Sequence, residues 1–176
     1  MAHNYAPSTR ARIADLMVGM RVETGTFASL TYHHQDQWEL FIVYGRIQIT
    51  NLFCEWITDF AGGATLLNFN YTFTTPAITV KPLCGASASI AALVRGSRVV
   101  SLGGAVATAA GLTVATGGYS DLEVTPGILG GEGFEGTIGM VTTVADATGG
   151  TAKCVLTYVP MSDGAYVTGN ALPVAP

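Results

Sequence analysis

The chain has 176 residues, a net charge of -4 and a pI near 5.2, and only 11% of its residues are charged, against about 25% in ordinary soluble domains. The acidic balance excludes the basic footprint of a nucleic-acid binder and gives no electrostatic reason to expect an anionic membrane as partner. Its eight basic and twelve acidic side chains must cover roughly 8,000 Å² of folded surface, about one charge per 400 Å², so much of that surface is expected to be sheltered by other subunits.

Residues 1–20 read as an N-terminal arm and residues 21–176 as one β-sandwich domain. The first ten residues hold no apolar run, so no secretory signal is expected there. Ser8 or Thr9 can cap a short helical turn through Arg10 to Met17, with Gly19 as its stop. Ile13, Leu16 and Met17 share one side at helical spacing, and Arg10 and Arg12 can make charge-assisted contacts. These five residues are the expected assembly contacts of the arm, together with Trp38 and Trp56 in the domain.

His33 and His34 are adjacent, which does not give the spacing of a zinc helix, and they read as part of a polar loop. Trp38 to Tyr44 and Arg46 to Ile57 read as a hairpin around Gly45. In the second run Ile47 and Ile49 face one way while Arg46, Gln48 and Thr50 face the other. After Asn51 both faces turn apolar, which suggests passage into a doubly covered region or an interface. Tyr32, Trp38, Phe41 and Tyr44 cluster before that hairpin, and Asn68 to Phe73 alternates polar with aromatic residues; both patterns suit core or interface packing, with stacking on sugar rings as the alternative.

Ile90 to Arg95 and Arg98 to Leu102, split by Gly96-Ser97, resemble a second hairpin. Residues 103–136 are rich in Gly, Ala and Thr, with turns at Pro126-Gly127 and Gly130-Gly131. Gly131 to Gly136 satisfies GxGxxG by its letters, but the residues that follow read as a strand, and Glu132 and Glu135 would repel phosphate. Lys153 to Val159 reads as the final strand, with Cys154, Leu156 and Tyr158 on one face. Cys54, Cys84 and Cys154 show no paired spacing and are read as reduced core thiols. Many short strands with Gly and Pro punctuation give the fold class: all-β, a single β-sandwich or jelly-roll-like domain with an N-terminal arm.

No nucleophile elbow, P-loop or metal spacing can be assembled, so no enzyme activity and no cofactor is expected. Asn70-Tyr71-Thr72 has the letters of a glycosylation sequon.

Gly136 to Thr143, and then Thr148 to Thr168, resemble the end of a family of small virion proteins of tailed bacteriophages. Ile42 to Thr50 and Leu83 to Gly85 are similar to the same family's first hairpin and central strand. The likeness lies in hydrophobic pattern and turn residues; residues 103–118 and the arm have no counterpart in it. The resemblance implies a structural subunit, a capsid decoration or cement protein that assembles as homotrimers, with copies of itself and the major capsid protein as partners, located in the virion after synthesis in the bacterial cytoplasm. The alternatives are a tail or head-fibre subunit with a glycan receptor-binding surface, or a free lectin-like carbohydrate-binding module.

Overall fold

Burial alternates with period two along β1 and through much of β4, β6 and β13, whereas β11 is buried on both sides from Gly136 to Met140. The computed structural model describes residues 19–28, 37–73, 79–91, 93–100, 111–113, 127–131, 135–143 and 147–173. The expected arm, up to residue 18, and His33 and His34 lie outside the described residues. In chain order the strands are β1 (Met20–Glu23), β2 (Phe27–Ala28), β3 (Gln37–Tyr44), β4 (Ile47–Trp56), β5 (Ala61–Gly62), β6 (Leu66–Phe73) and β7 (Thr79–Pro82). They continue with β8 (Arg98–Val100), β9 (Gly111–Thr113), β10 (Gly127–Leu129), β11 (Glu135–Thr143), β12 (Ala147–Gly149), β13 (Thr151–Pro160) and β14 (Tyr166–Pro173). No helix occurs among the described residues.

Two antiparallel sheets make an all-β sandwich. One has seven strands in the order β1-β13-β4-β8-β9, with β10 also on β4 and β2 also on β13; the other has five in the order β14-β3-β11-β6-β7. The short β5 and β12 pair separately. Between the sheets, Trp38, Phe41 and Val43 of β3, Ile138 and Met140 of β11, and Leu67, Phe69 and Tyr71 of β6 meet Leu52, Cys54 and Trp56 of β4 and Leu156 and Tyr158 of β13. This buried apolar set is the main source of stability, at about 25 cal/mol per Å² removed from water.

The first two long strands fall where the sequence places them, with a turn at Gly45 (φ +73°), but they are not a hairpin: β3 joins the five-stranded sheet and β4 the seven-stranded one, so the turn carries the chain from one sheet to the other. The change to two apolar faces after Asn51 has a different cause from double coverage. Opposite β13 the register slips, so that Asn51 faces Thr157 and Ile49 faces Tyr158, leaving Thr50 as an extra residue. This β-bulge reverses the parity, and Leu52, Cys54 and Trp56 become the inward set. The Thr50 hydroxyl donates to the Thr157 carbonyl at 3.0 Å, satisfying a group at the interrupted ladder. Phe53 stays on the outer face under the Arg98 guanidinium, 4.7 Å from its ring centroid.

Three further expectations are corrected. Residues 90–95 are not a strand: Ile90 and Leu93, three apart, both drop into the core, which a period-two strand cannot arrange. Gly96 and Ser97 instead bond to the end of β4, with the Gly96 amide on the Trp56 carbonyl at 2.8 Å and the Trp56 amide on the Ser97 carbonyl at 3.0 Å. Lys153 to Val159 is not the last strand, because the turn at Asp163-Gly164, with φ +73° at Gly164, returns the chain as β14. Two of the three cysteines are not free thiols. Cys54 and Cys154 are register partners on the inward faces of β4 and β13, with Cα atoms 4.0 Å apart, and are joined as a disulfide, while Cys84 is buried and outside the bridge.

Candidate interaction surface

The two outer faces of the sandwich differ sharply in charge. On the seven-stranded sheet, Arg21, Glu23, Glu55, Arg98 and Lys153 share the outward side. Arg98 donates through Nε and Nη2 to Glu55 Oε2 at 3.1 and 2.9 Å, Lys153 Nζ lies 3.9 Å from Glu23, and Arg21 contacts Glu23. On the five-stranded sheet the register places Tyr44, Ile42 and Glu39 of β3 beside Glu135, Thr137, Gly139 and Val141 of β11. Beyond them come Thr72, Asn70 and Asn68 of β6, and Val80 and Pro82 of β7. Among the described residues the outward face of this sheet carries two carboxylates, Glu39 and Glu135, and no cation.

That face also holds unmet hydrogen-bond demand. Asn68 Oδ1, Asn70 Oδ1 and Thr72 Oγ1 stand at alternate positions of β6, each hidden from solvent and each without a hydrogen-bond partner. Asn70 fits because its register partner is Gly139: a Cβ there would stand 2.6 Å from Asn70 Oδ1 and 2.9 Å from the Trp38 carbonyl. Such groups are rare in native proteins and carry a desolvation penalty until a donor reaches them.

Both edges of the five-stranded sheet are blunted. At the β14 edge the Val167 amide donates to the Tyr158 hydroxyl at 3.1 Å, and Gly169 lies against the Glu23 carbonyl. At the opposite edge β7 carries Lys81 and Pro82.

At one end of the same face, Tyr44 and Tyr166 are register partners with rings stacked 4.4 Å apart at 17°. Tyr166 is 46% exposed. The Tyr44 hydroxyl is held above the ordinary tyrosine range, first by loss of solvation, then by the Glu135 carboxylate and by Tyr166. The loops here are tied together: the Met161 amide donates to the Arg46 carbonyl at 2.8 Å, and the Arg46 amide to Ser162 Oγ at 3.0 Å.

Of the residues expected at subunit contacts, Arg10, Arg12, Ile13, Leu16 and Met17 lie outside the described residues. Trp38 and Trp56 sit in the core instead, 1% and 3% exposed, packed beside Phe27 and Phe60. Their indoles are covered by this chain itself, and among the described residues Tyr44 and Tyr166 form a stacked aromatic pair that reaches the surface. Tyr166 escaped notice because no strand was expected after residue 160; the alternation of exposed Tyr166, buried Val167 and exposed Thr168 is the signal that reveals it.

No group of three or more His, Cys, Asp or Glu side chains stands together among the described residues. Between the sheets a cavity of about 10 Å³, bordered by Trp38, Trp56, Phe60 and Met140, has room for about one water. Gly136 is the second residue of β11, a strand, so the GxGxxG letters do not lead into a helix. No described helix is long and apolar enough to cross a membrane. Comparison with protein-family models, with curated proteins and with solved structures finds no match for this chain.

Proposed function

We propose that the chain is a structural virion protein of a tailed bacteriophage, a capsid decoration or cement subunit that assembles as a homotrimer and binds the major capsid protein of the assembled shell. The observation that carries this reading is the outward face of the five-stranded sheet. It has two carboxylates and no cation among the described residues, and its three unpartnered acceptor oxygens on β6 are already hidden from solvent. A face of this kind loses little by desolvation when it is covered. The resemblance of Gly136 to Thr143 and of Thr148 to Thr168 to small phage virion proteins supports the same reading.

The mechanism is mass action. A subunit that binds the closed shell and not its separate parts shifts the equilibrium toward the intact particle, without turnover or cofactor. The arm, through Arg10, Arg12, Ile13, Leu16 and Met17, extends the contact to a neighbouring lattice position. The disulfide between Cys54 and Cys154 suits a protein that persists in particles outside the reducing cytoplasm in which it is made.

Co-sedimentation with shells stripped of accessory proteins tests the proposal. Saturable binding at symmetric sites, weakened by deletion of residues 1–18, is the expected result. Failure of the intact chain to sediment with any such shell would overturn it.

A further inference from the structure

We infer that the loop end of the sandwich around Tyr166 is a binding site for a neutral oligosaccharide. This site lies at one end of the same sheet face, and its binding by the isolated chain does not depend on whether that face meets a shell.

The argument starts from position. Strand β14 is the outermost strand of its sheet, so Tyr166 has Tyr44 stacked on one side of its ring and no neighbouring strand on the other. The ring is thus held in place by Tyr44 while its far side is open, and 46% of the residue is exposed. A rigid aromatic ring with one free side is the surface on which the C–H face of a pyranose stacks, because the positive C–H edges meet the negative π face and both lose apolar contact with water. Two residues before Tyr166 in the chain, Gly164 has nothing within 4 Å of where a Cβ would stand, so the turn that leads into β14 borders open space.

Polar groups complete the site. Asp163 is exposed in the turn that leads into β14, and Glu135 lies across the sheet beyond Tyr44, two strand spacings or roughly 10 Å from Tyr166, a span suited to a second sugar ring. Each carboxylate has about four acceptor positions, so one that already has a partner still accepts from a sugar hydroxyl. Among the described residues Arg46 is the cation set against Asp163 and Glu135 at this end, so the carboxylates prevail, which favours an uncharged sugar over an anionic one. The hydrogen bonds between residues 45–46 and 161–162 fix the loops before ligand arrives, which limits the ordering cost that weakens binding.

The test is a heteronuclear NMR titration of the purified full chain with maltohexaose, cellohexaose and chitohexaose, each to millimolar concentration. The expected result is saturable shifts of Tyr44, Tyr166 and Gly164 resonances with at least one of the three. Affinity should fall by about tenfold in Tyr166→Ala and persist in Tyr166→Phe, which keeps the ring. The inference is overturned if none of the three produces saturable shifts, if the shifts map away from Tyr166, or if Tyr166→Ala, shown folded by its core resonances, binds as well as the parent chain.

Discussion

The amide of Val167 donates to the hydroxyl of Tyr158 at 3.1 Å, a bond that joins the edge strand of the five-stranded sheet to a strand inside the seven-stranded one. Tyr158 is 1% exposed and its ring lies in the core, so its hydroxyl reaches the one kind of group an edge strand leaves unpaired. Tyr71 is its opposite: 1% exposed, on the inner side of β6, with a hydroxyl that has no hydrogen-bond partner.

These two tyrosines should respond oppositely to loss of the hydroxyl. Tyr158→Phe leaves the buried Val167 amide without its acceptor and should lower unfolding stability by about 1–3 kcal/mol. Tyr71→Phe removes a buried group with no partner and should leave stability unchanged or raise it by about 1 kcal/mol. Urea unfolding of both variants, compared by midpoint at constant slope, checks the pair.

The cysteine pairing gives a count. Under non-reducing denaturing conditions a thiol reagent should find one reactive sulfur per chain, that of Cys84, and three after reduction. Since the bridge closes a separation of 100 residues, the loop-entropy argument gives about 4.7 kcal/mol of stabilisation, and the reduced chain should unfold at a clearly lower temperature. Three thiols before reduction would contradict the pairing.

Much of this architecture is legible in the sequence. Period-two alternation places β3, β4, β6 and β13, and the failure of GxGxxG to introduce a helix is visible in the β-rich residues after Gly136. The misreadings share a cause, which is that contacts across the sheets override local pattern. Thr50 becomes a bulge only because β13 sits beside it, and the run of apolar residues around Phe53 reflects that parity change together with an arginine lid. Cys54 and Cys154 are opposite only through a register no spacing reveals. Of the candidate surface, the shortage of charge is evident from composition, but its concentration on one sheet is not. The sequence also marks Trp38 and Trp56 as large aromatic anchors without telling which side of a strand is already covered.

Close approach over β11 makes Gly139 sensitive. A methyl group there meets Asn70 Oδ1 at 2.6 Å and the Trp38 carbonyl at 2.9 Å, so Gly139→Ala should destabilise by about 1–3 kcal/mol. Gly25 has nothing within 4 Å of the same position, and Gly25→Ala should fall within about 0.5 kcal/mol of the parent. Thermal unfolding of the two variants side by side distinguishes them.

Alkaline pH should act through the tyrosines. Tyr44 and Tyr71 both have pKa values raised from the ordinary 10.0, Tyr44 chiefly by loss of solvation with Glu135 and Tyr166 adding to it, and Tyr71 by burial. The unfolded chain releases these protons near its ordinary value while the native chain retains them. Stability from these groups is thus fully present below pH 10.0 and declines as pH rises through the raised native values. Urea midpoints measured on either side of that pH, with phenolate absorbance followed in parallel, should show the decline in the parent chain and a smaller one in Tyr71→Phe.

The central claim is that a nearly uncharged sheet face is sheltered by association, and the molar mass in solution tests it most directly. Multi-angle light scattering on the purified chain at micromolar concentration should give about three times the 18.2 kDa chain mass, and a lysine placed at Thr168, exposed on that face beside Ile42, should reduce it. A stable monomer of 18.2 kDa under those conditions, indifferent to Thr168→Lys, would contradict the account.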